Sequence, residues 1–583
     1  MRGSSHVRLR VGLVLITMLL SLFGARLFQL QGIDSQAYAT RAAESGLVTI
    51  ELPAKRGRIL DRNGVPLAES IAGLMVVADP TRTTPHAEAI AKILSDRLAL
   101  DYFEVLANLT KKDTRFVYVA RRVPSTLATA VMEELAEREY VGVDTRPDPL
   151  QTYPAGDVGA NLIGFIGDEG KPTGGLERNF DKLLAGKDGK ETYEVGGGNR
   201  IPLGDNSQVK PVDGKDLRLT IDRDVQWYTQ RLLRGAVQSA RAKSGAAVVL
   251  DSRTGEMLAH ADFPTYDPNR PGRAAKEDLG SRALSDVYEP GSVEKVLTAA
   301  ALLDAGKVTP TTRIKVPKEL PVLDRTIHDW FDHGQLRLTM AGVIARSSNI
   351  GTALAATQFT PAELHDYLDK FGLGRRTDVG MPGETRGLLP DAAAWSTLSR
   401  AQIAFGQGLS VNALQMATAV NTLANGGELI TPSLVQGRAT TAQGREVGTE
   451  TTVSRRVVSA AAASQTAQMM ELVTTPEVGT APRAGILGYR VAGKTGTAQQ
   501  VGDTCRCYDG STAVSFAGFA PADNPRFTVY VVINKPRAGS SGGGTAGPVF
   551  RKILTYLLQR YAVAPTDTPP SSIPITWGRA ADR

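Results

Sequence analysis

Two cysteines, six histidines and an aromatic share of 6% are sparse for 583 residues, and each scarcity removes a class of explanation. The cysteines, both within Cys505-Arg506-Cys507, cannot build a disulfide framework and are too few for a zinc centre. Separated by one residue, they stand as free thiols in a loop or as a labile local bridge, with no catalytic role. The histidines show no ligand spacing. His328 and His333, around Trp330 and Phe331, read as a partly buried turn. No basic stripe is interleaved with aromatics, so the net charge of +7 indicates a mildly basic surface and no nucleic-acid partner. Acidic residues are missing before Asp34.

The arginine-led start, with Arg2, Arg8 and Arg10, precedes an uncharged apolar run from Val11 to Ala25. As a helix that run spans about 22 Å, short of a bilayer core of about 30 Å; extending it to Leu30 supplies the missing length. Arg26 then lies near one end, where its stem reaches the interface. Ala37-Tyr38-Ala39 has the form of a signal-peptidase site but lies too far beyond the run. Residues 1–30 therefore read as an uncleaved signal anchor in contact with membrane lipid. The arginine end is cytoplasmic and everything after about residue 31 lies outside.

At this length one core is insufficient, and the chain should divide. Residues 45–220 alternate short strand-like runs with Gly- and Pro-rich turns, including Gly196-Gly197-Gly198, and carry a helical stretch from Pro85 to Leu98. Residues 221–563 carry helical patterns at Asp224–Ser239 and Val549–Tyr561. Strand patterns there fall at Ala246–Leu250, Met257–Ala261, Ala513–Ala520 and Arg526–Asn534. Strands at both ends with helices between them give an α+β domain, an antiparallel sheet closed by the chain's two ends and packed by helices. The Pro-, Ser- and Thr-rich stretch 564–583 reads as disordered.

Three short motifs carry the chemistry: Ser292-Val293-Glu294-Lys295, Ser347-Ser348-Asn349 and Lys494-Thr495-Gly496. At ordinary residue usage a chain of this length shows roughly two S-x-x-K matches by chance, but a K-T-G only about one time in eight. Decoys are present: Ser207-Gln208-Val209-Lys210, Ser410-Val411-Asn412 and the looser Lys243-Ser244-Gly245. Context separates them. Ser207 lies among Gly, Asp and Pro, whereas Ser292 follows Glu289-Pro290-Gly291 and opens a helix-forming run closed by Gly306. There Ser292 and Lys295 are i and i+3 neighbours, and the unpaired N–H groups of a helix start can steady an oxyanion.

The triple is a recognised signature of penicillin-recognising serine acyltransferases. With Arg56-Gly57-Arg58-Ile59-Leu60-Asp61-Arg62-Asn63-Gly64, Gly406-Gln407-Gly408-Leu409-Ser410-Val411 and Pro382-Gly383-Glu384, the chain resembles the class B penicillin-binding proteins, above all the septal transpeptidases. Asn412 stands where the family commonly has threonine, and Glu294 is an unusual charge inside the first motif, placed to tune the pocket. The resemblance implies a pedestal at 45–220 that contacts partners, including a membrane glycan polymerase and other division proteins. It also implies a transpeptidase domain at 221–563. On the same resemblance, the donor is expected to be a stem peptide ending in D-Ala-D-Ala, the acceptor an amine on a neighbouring stem, and β-lactams to be inhibitors.

The residues support that chemistry. A serine hydroxyl needs an adjacent base, and neutralising a lysine near pH 7 costs about 4 to 5 kcal/mol. Burial supplies part of this, and a second ammonium roughly 5 Å away supplies about 3 kcal/mol more. Lys295 is the expected base for Ser292, Ser347 the proton carrier to the leaving amine, Asn349 the partner of the substrate amide, and Lys494 the support for Ser347. Thr495 and Thr497 are placed to hold a carboxylate. Gly496, on a sheet edge, leaves room for a peptide to add as a strand. Backbone N–H groups of Ser292 and Thr497 complete an oxyanion hole. No metal or organic cofactor is required. Elongation-specific transpeptidation is one alternative. Another is a β-lactamase or β-lactam sensor with Glu384 as deacylating base, and a third is a scaffold with incidental chemistry.

Overall fold

The computed structural model describes residues 5–29, 47–167, 170–196, 199–200, 206–502, 505, 507–538 and 541–578. Ala37-Tyr38-Ala39, Gly197-Gly198 and residues 579–583 lie outside them. The apolar N-terminal run is a helix over Ser5–Phe28, long and apolar enough to cross a membrane. It starts ahead of Val11 and includes Arg8 and Arg10, which are good helix formers; Arg26 falls in its last turn.

The chain forms two compact units. The first takes 1–55, 72–150 and 186–214. Its central strand Gly73–Ala78 pairs antiparallel with Val117–Pro124 and Val143–Pro147. Val76 of that strand meets Ile90 and Leu94 of the helix Ala87–Leu98 and Val131 and Leu135 of the helix Ser125–Glu137 in one core. The expected start at Pro85 is instead a 3-10 turn, Thr84–His86. The decoy Ser207 sits on an exposed strand, Ser207–Val209, paired with Gly189–Gly196, where no helix aligns it with Lys210.

The second unit holds 56–71, 151–185 and 215–583, so segments from both sides of residue 220 pack together in it. The reason lies in pairings distant in sequence. Ile59–Leu60 runs parallel to Leu217–Arg218, and Arg56 bridges Glu177 and Asp181, both at 2.6 Å. Asp61 accepts the backbone N–H groups of Asn63, Val65 and Arg223. The Arg56–Gly64 motif is thus a staple within this unit.

At the centre of the second unit lies a five-stranded antiparallel sheet ordered Met257–Phe263, Ser244–Asp251, Phe527–Asn534, Tyr508–Ala520, Ala492–Val501. Alternation along the strands serves two helical layers. On one face Phe527 meets Tyr561 and Phe516 meets Phe550, beside the helices Arg223–Ser239 and Gly547–Arg560. On the other, Thr528 Oγ1 donates to Asn421 Oδ1 at 2.7 Å, in the helix Ala413–Ala424. Asp222 caps Arg223–Ser239 by accepting from the N–H groups of Asp224 and Val225. The α+β class and the sheet expected from sequence are present, with an edge strand, Ala492–Val501, that sequence patterning does not single out as a full strand.

One expectation changes. Residues 566–577, expected to be disordered, are packed. Thr566 N–H donates to Gly488 O at 2.9 Å and Thr339 N–H to Ile575 O at 3.0 Å. The Trp577 ring lies 5.4 Å from both Arg313 and Arg337 guanidinium carbons. A side chain at 342 would strike the Ile575 carbonyl, so Gly342 is what admits this strap. Bulk composition hides three apolar anchors, Ile573, Ile575 and Trp577, among prolines that already restrict the unfolded chain. Of the two states open to Cys505 and Cys507, the local bridge is the one present: they are joined as a disulfide.

Candidate active site

Ser292 lies in a 3-10 turn, Gly291–Val293, that runs into the helix Lys295–Asp304. The helix ends as its sequence implies, with Gly306 at φ +64° and its N–H on Leu303 O. Gly291 donates to Gly406 O at 3.0 Å. A side chain on Gly406 would collide with the Gly291 carbonyl, and Gly408 N–H donates to Glu289 Oε1 at 2.9 Å. Gly406-Gln407-Gly408 is therefore a buttress laid against the serine turn, which only glycine at 406 permits.

Ser347-Ser348-Asn349 joins two helices. Ser347 is the C-cap of Met340–Arg346, at φ 58° and ψ 41°. Ser348 is the N-cap of Asn349–Ala356, its Oγ accepting from Gly351 N–H at 2.8 Å. The left-handed turn at Ser347 aims its hydroxyl at two lysines. Lys494 Nζ donates to Ser347 Oγ at 2.8 Å and to Thr495 O at 3.0 Å. Lys295 Nζ donates to Ser347 O at 2.6 Å and Asn349 Oδ1 at 2.7 Å, and lies 3.4 Å from Ser347 Oγ.

Both lysines are completely buried. Burial lowers the Lys295 pKa to about 7, against the opposing pull of Asp329 and Glu294. Burial and then the Lys295 charge push Lys494 well below the ordinary lysine range. Two amines converging on one buried hydroxyl titrate as a coupled pair, in which the charge on one disfavours the charge on the other.

A cavity of about 370 Å³ opens over these groups. Five of the eight residues expected from sequence line it: Ser292, Ser347, Asn349, Thr495 and Thr497. Lys295 and Lys494 lie buried beneath. Gly496 is in the edge strand but not for the reason expected. A Cβ there would meet Ser515 Oγ, Val293 and the Pro290 carbonyl, so the glycine lets the strand approach the serine turn instead of clearing a path for peptide.

The cavity also takes in residues that sequence reasoning does not select, notably Trp330, Thr480 and Gln407. Trp330 is 68% exposed, with its Nε1–H on Arg346 O at 2.9 Å. Thr480 Oγ1 is 3.2 Å from Thr495 Oγ1. The aromatic pair Trp330-Phe331 is the signal that could point to this wall; Thr480 carries none.

Glu294 points inward, bonded by Thr298 Oγ1 at 2.7 Å, and burial drives its pKa well up. Glu384 is 5% exposed and accepts from Thr377 N–H and Oγ1 at 2.6 and 2.7 Å; it does not line the cavity. Asn412 of the second decoy is a buried N-cap in a capping box with Gln415.

Residues 245–555 match the penicillin-binding protein transpeptidase domain, and 51–219 the penicillin-binding protein dimerisation domain. Among similar proteins, PbpB of Mycobacterium tuberculosis is 37% identical, over 98% of this chain and 88% of its own length. Peptidoglycan D,D-transpeptidase FtsI of Escherichia coli is 33% identical, covering 94% and 91%. The crystal structure of penicillin binding protein 3 from Mycobacterium tuberculosis, complexed with aztreonam, aligns with a TM-score of 0.70 at 32% identity, over 91% of this chain and all of that one. With two family domains covering most of its length and relatives above 30% identity along nearly all of it, this chain belongs to the class B penicillin-binding proteins.

Proposed function

We propose that this protein is a membrane-anchored peptidoglycan D,D-transpeptidase of septal wall synthesis, acylated at Ser292 and inhibited by β-lactams. The observation that carries the reading is the convergence of Lys295 and Lys494 on Ser347 Oγ beneath a cavity lined by Ser292.

A neutral amine has two N–H bonds and one lone pair. The two short bonds from Lys295, to Ser347 O and Asn349 Oδ1, use both hydrogens and leave the lone pair for the Ser292 proton. Ser292 Oγ attacks the carbonyl carbon of the penultimate D-Ala. Backbone N–H groups of Ser292 and Thr497 carry the developing oxyanion. As the tetrahedral adduct collapses, Ser347 Oγ gives its proton to the departing amine of the terminal D-Ala and is resupplied by the lysine pair. An amine from a neighbouring stem then repeats the steps in reverse. Thr495 and Thr497 hold the terminal carboxylate, and Asn349 holds the substrate amide.

Because only neutral Lys295 accepts the proton, the second-order rate of acylation by penicillin should rise with pH and level off above a midpoint of about 7. Below that midpoint it should fall about tenfold per pH unit. Stopped-flow acylation between about pH 5.5 and 9 measures this; a flat profile excludes a lysine base.

Residues 45–220 serve as the pedestal for a membrane glycan polymerase and other division proteins. The arginine-bearing end of Ser5–Phe28 stays in the cytoplasm, with the catalytic unit outside. Septal duty is favoured over elongation by the relatives' names, which include FtsI. A fluorescent fusion in dividing cells tests it: a band at midcell is expected, and labelling confined to the lateral wall assigns the protein to elongation.

A further inference from the structure

The segment His328–His333, which reads from sequence as an unremarkable turn, is bonded to four of the five residues Arg346 to Ile350. The Asp329 carboxylate is fully buried. Its Oδ2 accepts Ser348 Oγ at 2.7 Å and faces His333 Nε2 at 3.0 Å, while its Oδ1 accepts Ile350 N–H at 3.0 Å. On either side, Asn349 Nδ2 donates to His328 O at 2.8 Å and Trp330 Nε1 to Arg346 O at 2.9 Å. The segment thus grips one side of the second motif while Lys295 and Lys494 meet the other.

The grip has a physical purpose. Ser347 is a non-glycine residue in the left-handed region, a conformation that persists where the surroundings over-determine it. Asn349 Oδ1 and Ser347 O must also stay fixed if they are to orient the Lys295 amine.

Resting on the acyl-transfer reading above, we propose that Asp329 is a positioning residue for that reaction: held by His333, its carboxylate fixes Ser347-Ser348-Asn349 against the Lys295 amine. Its charge acts as well. Lys295 faces Glu294, Asp329 and Lys494; burial favours its neutral form, and Asp329 is the largest opposing influence. Removing that negative charge while keeping an acceptor therefore makes Lys295 easier to deprotonate.

The test is the pH profile of penicillin acylation for the full chain and for Asp329→Asn and Asp329→Ala. Asp329→Asn should acylate about 5- to 20-fold more slowly on its plateau, with the midpoint moved down by about half to one pH unit. Asp329→Ala should lose about 100-fold or more. A slower reaction with an unmoved midpoint would show a merely structural carboxylate and overturn the proposal, as would rates within twofold of the parent protein. If Asp329→Ala does not fold, Asp329→Asn alone decides. Failure of the unmodified chain to acylate at Ser292 would be a separate result, since it removes the acyl-transfer reading itself.

Discussion

Ser292→Ala should abolish labelling by a fluorescent penicillin, and Lys295→Ala should come close to the same loss. Both should fall by at least about 10³-fold, because a nucleophile and its base act as one unit and removing either removes the step. The structure separates this pair from its rivals. Ser292 opens onto the cavity with Lys295 at i+3, whereas Ser207 is on an exposed strand and Ser410 precedes a buried N-cap. Folding should be retained in Ser292→Ala, since the hydroxyl is at the cavity wall and its loss leaves no gap in the core. Peptide mapping of the penicilloyl adduct gives the answer by mass, and an adduct at Ser207 or Ser410 would refute the site.

The adduct should also persist. Hydrolysis of an acyl-enzyme requires a water and a base beside the ester, and the one acid that the sequence offers for that task is occupied elsewhere. Glu384 takes both donors of Thr377 and does not line the cavity; burial holds its pKa above the usual glutamate range. Intact-protein mass spectrometry should find the penicilloyl form surviving far longer than the time needed to form it. Glu384→Ala should leave acylation within about twofold while costing about 1 to 3 kcal/mol of stability, the cost of orphaning the Thr377 donors. Regeneration of free enzyme within seconds, stopped by Glu384→Ala, would instead mean a β-lactamase.

Much of this site is legible in the amino-acid sequence, because its chemistry is local. Ser292-to-Lys295 spacing on a helix start, the helical pattern of Asp224–Ser239, and the strand pairs around Asp251 and Asp523 are each written in short stretches of chain. What the sequence conceals depends on contacts distant in the chain. Ile59–Leu60 finds its partner at Leu217–Arg218, and Asp329 finds Ser348 only after the intervening elements have folded. The strap at 566–577 is hidden because a few apolar anchors are diluted by Pro, Ser and Thr. For Gly496 the need for glycine is legible but its cause is not, since which face the missing Cβ would occupy is set by the packing of Val293 and Ser515.

The two-lysine, two-serine site joins peptides instead of cutting them. The direct measurement incubates the full-length protein in detergent or lipid with a stem-peptide donor ending in D-Ala-D-Ala and an amine acceptor, and follows products by mass spectrometry. A new amide between donor and acceptor is expected, with one D-Ala released per link, absent in Ser292→Ala and suppressed by prior penicillin treatment. Release of D-Ala with water as the only acceptor, by a protein that penicillin still acylates at Ser292, would contradict it.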